Sequence, residues 1–374
     1  MQGDEIVNEA VNDDLRKPIV VMAGGTGGHV FPALAVAENL RERGEDIVWF
    51  GTRSGLEARV APAANFPIEW LNIQGLRGKG LFTLLLAPFR LLRACWQALR
   101  ILRRNRPKAV LGMGGFVSAP GGLMAWILDI PLYLHEQNSI VGLTNKMLCR
   151  FAQRNYSAFP HAAGSMPRSE CIGNPLRTGF ENLEGPSITL QGRLDTPLHL
   201  LVVGGSRGAA ALNRSVPEAI ACLDPESRPR IRHQCGEQHY ESCAQNYAAA
   251  KIDADIVSFI DDMREAYGWA DLVLCRAGAL TIAELTAVGR AALFVPFPYA
   301  VDNHQYHNAR FLEQAGAAQI MLEADMSAES LALKLQFFQQ NRDTLIDMAH
   351  KSRALYRADA ANRLASDILA GVRI

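Results

Sequence analysis

No stretch of this chain approaches the ~18 consecutive uncharged apolar residues that a membrane-spanning helix requires. The most apolar run, Leu81 to Leu86, soon meets Pro88 and Arg90, so the chain is not expected to cross a membrane. Net charge is missing as well: 38 lysines and arginines balance 38 aspartates and glutamates, which removes the electrostatic footprint of a nucleic-acid partner. No C-x-x-C pair occurs. Seven cysteines, an odd number scattered along the sequence, suit reduced thiols in a cytosolic protein better than disulfides or a zinc site. The absence of G-x-x-x-x-G-K-[ST] excludes a P-loop kinase. Residues 1–17 include Asp4, Glu5, Glu9, Asp13 and Asp14; they lack the basic and apolar character of a signal peptide and read as a flexible tail.

At 374 residues, 49% of them apolar, the chain exceeds the roughly 250–300 residues at which one hydrophobic core stops growing, so two domains are expected. Ile19 to Met22 reads as a strand, glycines follow, Ala33 to Arg43 has helical spacing, Gly44 ends it, and Ile47 to Phe50 resumes as strand. The same grammar returns at residues 199–223, where an apolar run enters Gly204-Gly205-Ser206-Arg207-Gly208 and a helix follows. Each half has a second strand-to-glycine turn, AVLGMGGFVSAPGG at 109–122 and DLVLCRAGALTIAEL at 271–285. The expected fold is α/β, with two doubly wound, Rossmann-like parallel-sheet domains facing a cleft bordered by four glycine turns. The domains are placed at 18–178 and 198–359, joined by a Gly/Pro/charge-rich linker at 179–197, with the C-terminal helix within 360–374 able to return to the first domain.

Glycine turns at the carboxyl ends of parallel strands let backbone N–H groups approach an oxygen-rich ligand, and the helix start favours negative charge. A nicotinamide cofactor is disfavoured: aligned as G-x-G-x-x-G, residues 25–30 lack the third glycine, and the next strand ends Trp49-Phe50-Gly51-Thr52 without an acid for a ribose. In the second half, the helix opening at Gly278-Ala279-Leu280-Thr281 could hold a diphosphate, and Glu284 could accept from ribose hydroxyls. His304, Gln305 and Asn308 follow a Pro-rich strand end and suit sugar hydroxyls.

The stretches MAGGTGGHVFP, QGLRGKG, VLGMGGFVSAPGG, LHEQNSIVGLTNK, GNPLRT, VVGGSRGA, FIDDM, CRAGALTIAE and DNHQYHNA run in this order from residue 22 to 309. In combination they resemble the MurG family of peptidoglycan N-acetylglucosaminyltransferases, which have the GT-B fold. The resemblance implies UDP-GlcNAc as donor in the C-terminal domain. It implies lipid I, undecaprenyl-diphospho-MurNAc-pentapeptide, as acceptor in the N-terminal one, with GlcNAc passing to the MurNAc C4 hydroxyl to give lipid II. By the matching motifs, Ile260 would offer backbone groups to uracil, Glu284 would hold the ribose, and Ser206 with Ala279, Leu280, Thr281, Ile282 and Ala283 the diphosphate. Gln305 and Asn138 would hold GlcNAc hydroxyls, Arg177 would assist with the nucleotide, and Thr26, Gly27 and Gly28 would approach the donor from the opposite domain. Gly114, Gly115, Arg77 and Lys79 would serve the acceptor, and Arg207 stands where the family often has glutamine.

Inversion at the anomeric carbon needs one base for the acceptor proton and one environment to stabilise departing UDP. His29 is the candidate base, because an imidazole with the ordinary pKa of about 6.5 is largely neutral at pH 7; Glu136 in HEQN is its rival. Asp253-Ala254-Asp255 has the D-x-D spacing of metal-dependent transferases, but it sits at the entrance of the strand Ile256 to Phe259, so no metal or other cofactor is expected.

Between Glu69 and Asp129 no acidic residue occurs, while Arg77, Lys79, Arg90, Arg93, Arg100, Arg103, Arg104, Arg106 and Lys108 accumulate. Arg90, Arg93, Gln97, Arg100 and Arg104 recur at helical spacing, Leu92, Cys95, Leu99 and Leu102 share another face, and Leu81, Phe82, Leu84 and Leu85 precede them. Such a segment is expected to bind anionic lipid at ~1 kcal/mol per cation. That would hold the protein peripherally on the cytoplasmic face of the bacterial inner membrane, beside other cell-wall synthesis or division proteins. The alternatives are a UDP-GlcNAc 2-epimerase and a non-catalytic nucleotide-sugar or lipid-carrier binding protein.

Overall fold

The structure, a computed structural model, describes residues 17–73, 87–183, 185, 190, 192–194, 196–205 and 208–372. The described residues divide into two compact units: one comprises those up to Arg177 together with those from Asp359 on, the other those within Thr178–Ala358.

In the first unit, β1 (Ile19–Met22), β2 (Ile47–Gly51), β3 (Ile68–Trp70), β4 (Ala109–Gly112), β5 (Leu132–Glu136), β6 (Arg154–Ser157) and β7 (Ser169–Cys171) form a parallel sheet. Its order is β3-β2-β1-β4-β5-β6-β7. The connections carry α1 (Gly27–Glu42), α2 (Glu57–Ala63), α3 (Ala87–Asn105), α4 (Ser118–Ile127), α5 (Leu143–Leu148) and α6 (Pro160–Gly164). Helices on both faces explain why the strands read as unbroken apolar runs. Ile19 and Val21 pack into the cluster shared with α1, and Val20 and Met22 into the cluster shared with α3 and α4.

The second unit repeats the plan. β8 (His199–Val203), β9 (Arg230–Gln234), β10 (Asp255–Val257), β11 (Leu272–Cys275), β12 (Ala291–Phe294) and β13 (Ala318–Ile320) pair in parallel as β10-β9-β8-β11-β12-β13. Around them lie α7 (Ala210–Ala221), α8 (Tyr240–Ala250), α9 (Met263–Trp269), α10 (Ala279–Val288), α11 (His304–Gln314), α12 (Ala328–Gln340) and α13 (Arg342–Ala354). In each sheet the strand order reverses beside the first strand, between β1 and β4 and between β8 and β11. Loops at the carboxyl ends of strands flanking such a reversal form the binding crevice of doubly wound sheets.

The last helix, α14 (Ala360–Val372), belongs to the first unit: Leu364, Ala365 and Ile368 join its core, and Arg43 at the C-terminal end of α1 donates to the Ser366 hydroxyl at 2.9 Å. Gly371 permits this docking, since a Cβ there would lie 2.0 Å from the Tyr133 hydroxyl.

Two expectations are revised. The first helix starts at Gly27, not Ala33; glycines and Pro32 depress local helix propensity, but the packing of α1 on the sheet overrides that weak preference. The segment expected as a linker is built into the second unit. Phe180 packs 6.4 Å from Tyr267, and Arg193 donates to the Trp269 carbonyl at 2.6 Å and pairs with the buried Asp271 at 3.3 Å.

Candidate active site

In the first unit two glycine turns meet at the switch point. Thr26, extended at φ −104° and ψ 163°, opens α1 without a side-chain cap. The N–H groups of Gly27 and Gly28 find no acceptor among the described residues, so the helix start presents open donors and the positive end of its dipole. β4 leads into Gly114 at φ +91° and Gly115 at φ +84°. A Cβ on Gly115 would lie 2.4 Å from the Gly24 carbonyl oxygen, and one on Gly114 2.7 Å from Nδ1 of His29. Only glycine lets the second turn seat against the first. From the other side, the fully buried Glu57 accepts from the Gly25 N–H at 2.9 Å and from the Thr52 N–H and hydroxyl, both at 2.8 Å.

His29 sits half-buried on the first turn of α1, with Nδ1 2.9 Å from Oε1 of Gln137. The Gln137 Nε2 lies 3.3 Å from Nδ1 of His135, whose Nε2 is 2.9 Å from the Gly173 carbonyl oxygen. Burial, with a smaller contribution from the neighbouring His29, pushes the His135 pKa down to about 4 against the raising effect of the Gly173 carbonyl. Glu136 is also buried, and four donors occupy its carboxylate: the Asn138 N–H (3.0 Å) and Nδ2 (3.4 Å) on Oε1, the Gly142 N–H (3.0 Å) and Asn145 Nδ2 (2.9 Å) on Oε2. Arg177 is exposed, its guanidinium 5.2 Å from the centre of the Phe31 ring on α1.

In the second unit, the turn after β8 carries Gly205 at φ +80° and Gly208 at φ +71°. The Gln234 side chain clamps it, accepting from the Gly205 N–H at 3.1 Å and donating to the carbonyls of Gly205 (3.2 Å) and Ser258 (3.1 Å). Beside it, α10 opens at the switch point with Gly278 extended and no side-chain cap; the N–H groups of Ala279, Leu280 and Thr281 find no acceptor among the described residues. Ile282 is buried and Ala283 half-buried in the next positions. Glu284, 7% exposed, is oriented by the Tyr267 hydroxyl, which donates to Oε2 at 2.9 Å. Ile260 is half-buried in the loop after β10, and neither of its backbone groups has a partner among the described residues. Gln305 accepts from the Phe297 N–H at 2.9 Å, the His304 Nδ1–H donates to the Val301 carbonyl at 2.8 Å, and the buried Asn308 donates to the Ala277 carbonyl at 3.3 Å.

Asp255 begins β10 at the amino edge of the sheet and accepts from Arg232 at 3.1 Å. Ser206, Arg207, Arg77, Lys79, Leu81, Phe82, Leu84 and Leu85 lie outside the described residues.

Residues 19–157 match the glycosyltransferase family 28 N-terminal domain and residues 199–364 its C-terminal domain. The chain belongs to glycosyltransferase family 28. A relative from Nitrosococcus oceani, 52% identical over 94% of this chain and 98% of its own length, is named UDP-N-acetylglucosamine–N-acetylmuramyl-(pentapeptide) pyrophosphoryl-undecaprenol N-acetylglucosamine transferase. The crystal structure of Acinetobacter baumannii MurG is 40% identical, with a TM-score of 0.80 over 94% of this chain and 99% of that one. The match carries the GT-B fold with it. A UDP-GlcNAc 2-epimerase from Neisseria meningitidis, solved with UDP-GlcNAc, superposes with a TM-score of 0.63 over 94% of this chain and 99% of its own at 11% identity; that likeness concerns the fold alone.

The family 28 chain also shows a basic, apolar surface in its first unit. α3 buries Ala94, Cys95, Ala98 and Leu102, leaves Leu99 half-buried, and exposes Phe89, Leu91, Leu92 and Trp96 beside the exposed Arg90, Arg93, Arg100 and Arg103. Leu92, expected on one face with Cys95, Leu99 and Leu102, is 67% exposed, whereas Cys95 and Leu102 are buried with the two alanines that form the seam. The surface continues onto the neighbouring α4 and α5, with Trp126, Leu143 and Met147 exposed and the Phe151 ring tilted against Trp126, centroids 4.4 Å apart. Among the described residues no helix is long and apolar enough to cross a membrane.

Sequence reasoning missed Glu57, Gln137, Gln234 and Tyr267. None carries a motif signal of its own; Gln137 alone lies inside a quoted motif, as the unassigned third letter of HEQN.

Proposed function

We propose that this family 28 enzyme transfers GlcNAc from UDP-GlcNAc to the C4 hydroxyl of undecaprenyl-diphospho-MurNAc-pentapeptide, with inversion, forming lipid II and UDP. The observation that carries the geometry is the open helix N-terminus at each switch point, one with a buried carboxylate in its second turn and the other with an imidazole in its first. The 2-epimerase reading has only fold-level support. In the second unit, the N–H groups at Ala279 to Thr281 and the α10 dipole receive the diphosphate, Glu284 accepts from the ribose, Ile260 faces uracil and Gln305 the sugar. In the first unit, Thr26, Gly27 and Gly28 approach the donor sugar, with Asn138 and Arg177 in support.

His29 takes the C4 hydroxyl proton as that oxygen attacks the anomeric carbon. The bond from that carbon to the UDP oxygen breaks, its electron pair leaving on the diphosphate, whose charge the α10 N-terminus stabilises. Glu136 is assigned as a brace for the loop 136–145, since its carboxylate is already filled with donors. Gly114 and Gly115 shape the acceptor side by seating against His29 and Gly24. The exposed apolar residues of α3, flanked by Arg90 and Arg93, rest on an anionic bilayer that carries the acceptor, as a peripheral contact.

The test is incubation with labelled UDP-GlcNAc and a lipid I analogue, read for a β-linked disaccharide and UDP; no disaccharide would defeat the reading. His29→Ala is expected to lower kcat by ~10²-fold or more with little change in donor KM. A nearly normal kcat would remove His29 as base.

A further inference from the structure

The buried groups behind His29 form a line with a fixed direction. A carbonyl oxygen can only accept, so the Gly173 oxygen, 2.9 Å from Nε2 of His135, requires a proton on that nitrogen. Neutral His135 then holds a lone pair at Nδ1, and the group facing it at 3.3 Å must be the NH2 end of Gln137, which also reaches the His135 carbonyl at 3.3 Å. The amide oxygen therefore faces His29 Nδ1 at 2.9 Å, and it too can only accept. His29 must donate from Nδ1, and its neutral ring keeps the lone pair on Nε2.

We propose that Gln137 and His135 are positioning residues that hold His29 as the Nδ1–H tautomer, so that Nε2 is the nitrogen that receives the acceptor proton. This rests on the reading of His29 as base. Burial enforces the direction: His135 is 0% and Gln137 1% exposed. Reversing the amide would set its oxygen against two acceptors, the His135 Nδ1 lone pair and the His135 carbonyl oxygen. His135 stays neutral at working pH because burial, helped by the neighbouring His29, lowers its pKa to about 4. Gly114 lets the β4 turn press against the Nδ1 edge of the His29 ring, where a Cβ would stand 2.7 Å from that nitrogen.

The protein labelled with 15N-histidine tests this in its native state, with the His29 signals identified by their loss in His29→Ala. At pH 7.5 the expected spectrum has a protonated, pyrrole-type Nδ1 and an unprotonated, pyridine-type Nε2 at residue 29; the opposite pattern would overturn the proposal without any variant. Gln137→Leu should release the tautomer toward Nε2–H and lower kcat about 10²-fold with donor KM nearly unchanged. Gln137→Glu, which restores an acceptor for Nδ1–H, should recover part of kcat and move the acidic limb of the kcat profile to higher pH, because a carboxylate stabilises the imidazolium. A Gln137→Leu protein that keeps Nδ1–H would sink the proposal. The tautomer signal is independent of turnover, so a failure of His29 as base would show in the kcat of His29→Ala and not in the spectrum.

Discussion

Gly114→Ala separates two consequences of one atom. At φ +91° an alanine carries a left-handed strain of roughly 1–2 kcal/mol. In a unit of this size each kcal/mol moves Tm by roughly 2–4 °C, so a fall of a few degrees is expected. The added Cβ would also stand 2.7 Å from Nδ1 and 2.8 Å from Cε1 of His29, and an ordinary contact needs about 0.7 Å more. The ring must swing by that amount, which stretches the 2.9 Å bond to Gln137 past hydrogen-bonding length. A displacement near 1 Å at a reacting group costs on the order of 10²-fold in rate. Gly44→Ala is the matching control, with φ +85° and nothing within 4 Å of its Cβ. Thermal melts and kcat on a lipid I analogue should show similar Tm losses for both variants and a kcat loss in Gly114→Ala alone. Equal kcat values would refute the assignment of that turn as the seat of His29.

If α10 supplies the positive end for UDP as proposed, transfer activity should survive thorough EDTA treatment; complete loss restored by Mg²⁺ or Mn²⁺ would overturn that role. Tyr267→Phe removes the donor that orients Glu284 and should raise the UDP-GlcNAc KM about tenfold, ~1.4 kcal/mol, at nearly unchanged kcat; an unaltered KM would detach Glu284 from the ribose. Replacing Phe89, Leu92 and Trp96 together with serine should abolish sedimentation with anionic vesicles while soluble-analogue turnover persists, and undiminished binding would move the membrane contact elsewhere. His135 and His233, both buried, have pKa values lowered by burial to about 4 and about 3, while an unfolded histidine titrates near 6.5. Below about pH 6.5 the unfolded chain gains protons that the fold refuses, so stability should be level above that pH and fall at ~1.4 kcal/mol per pH unit and per histidine beneath it. For the first unit the loss is about 3 kcal/mol by about pH 4, and urea midpoints that do not change between pH 7.5 and 5 would refute it.

The glycine turns could be read from sequence because a buried parallel strand has a plain signature, four or five apolar residues ending in glycine, and β1, β4, β8 and β11 all carry it or something close to it. The entrance position of Asp255 followed from the same signature. The start of α1 did not, because Gly27, Gly28 and Pro32 are poor helix formers whose helical state is set by the sheet beneath them. Glu57 opens a two-turn helix and would pass for a solvated charge. Its work is done by three donors from residues 25 and 52, a convergence that only folding creates. Gln137 and His135 lie two residues apart, but their link to His29 spans more than a hundred positions. Local pattern locates such a loop and leaves its internal hydrogen bonds unknown.

α3 is built against the preference of a core-forming helix. It places Ala94 and Ala98 inward and leaves Phe89 at 70%, Leu92 at 67% and Trp96 at 56% exposure. Burying large apolar side chains gains ~1.5–3 kcal/mol each, and stability alone would put them inside and the alanines out. The inversion makes sense if these residues leave water for another phase when the enzyme works, and on the proposed reading the arginines among them would meet the negative charge of that phase. α3 is the crossover into β4, and crossover helices run antiparallel to the strands they join. Its first turns, with Phe89 and Leu92, therefore lie toward the carboxyl edge of the sheet, the edge at which the 23–28 and 113–117 turns hold His29. On the proposed reading a lipid-tethered acceptor is met at the same edge as the base, and binding the bilayer raises its effective concentration there without any added contact to the sugar.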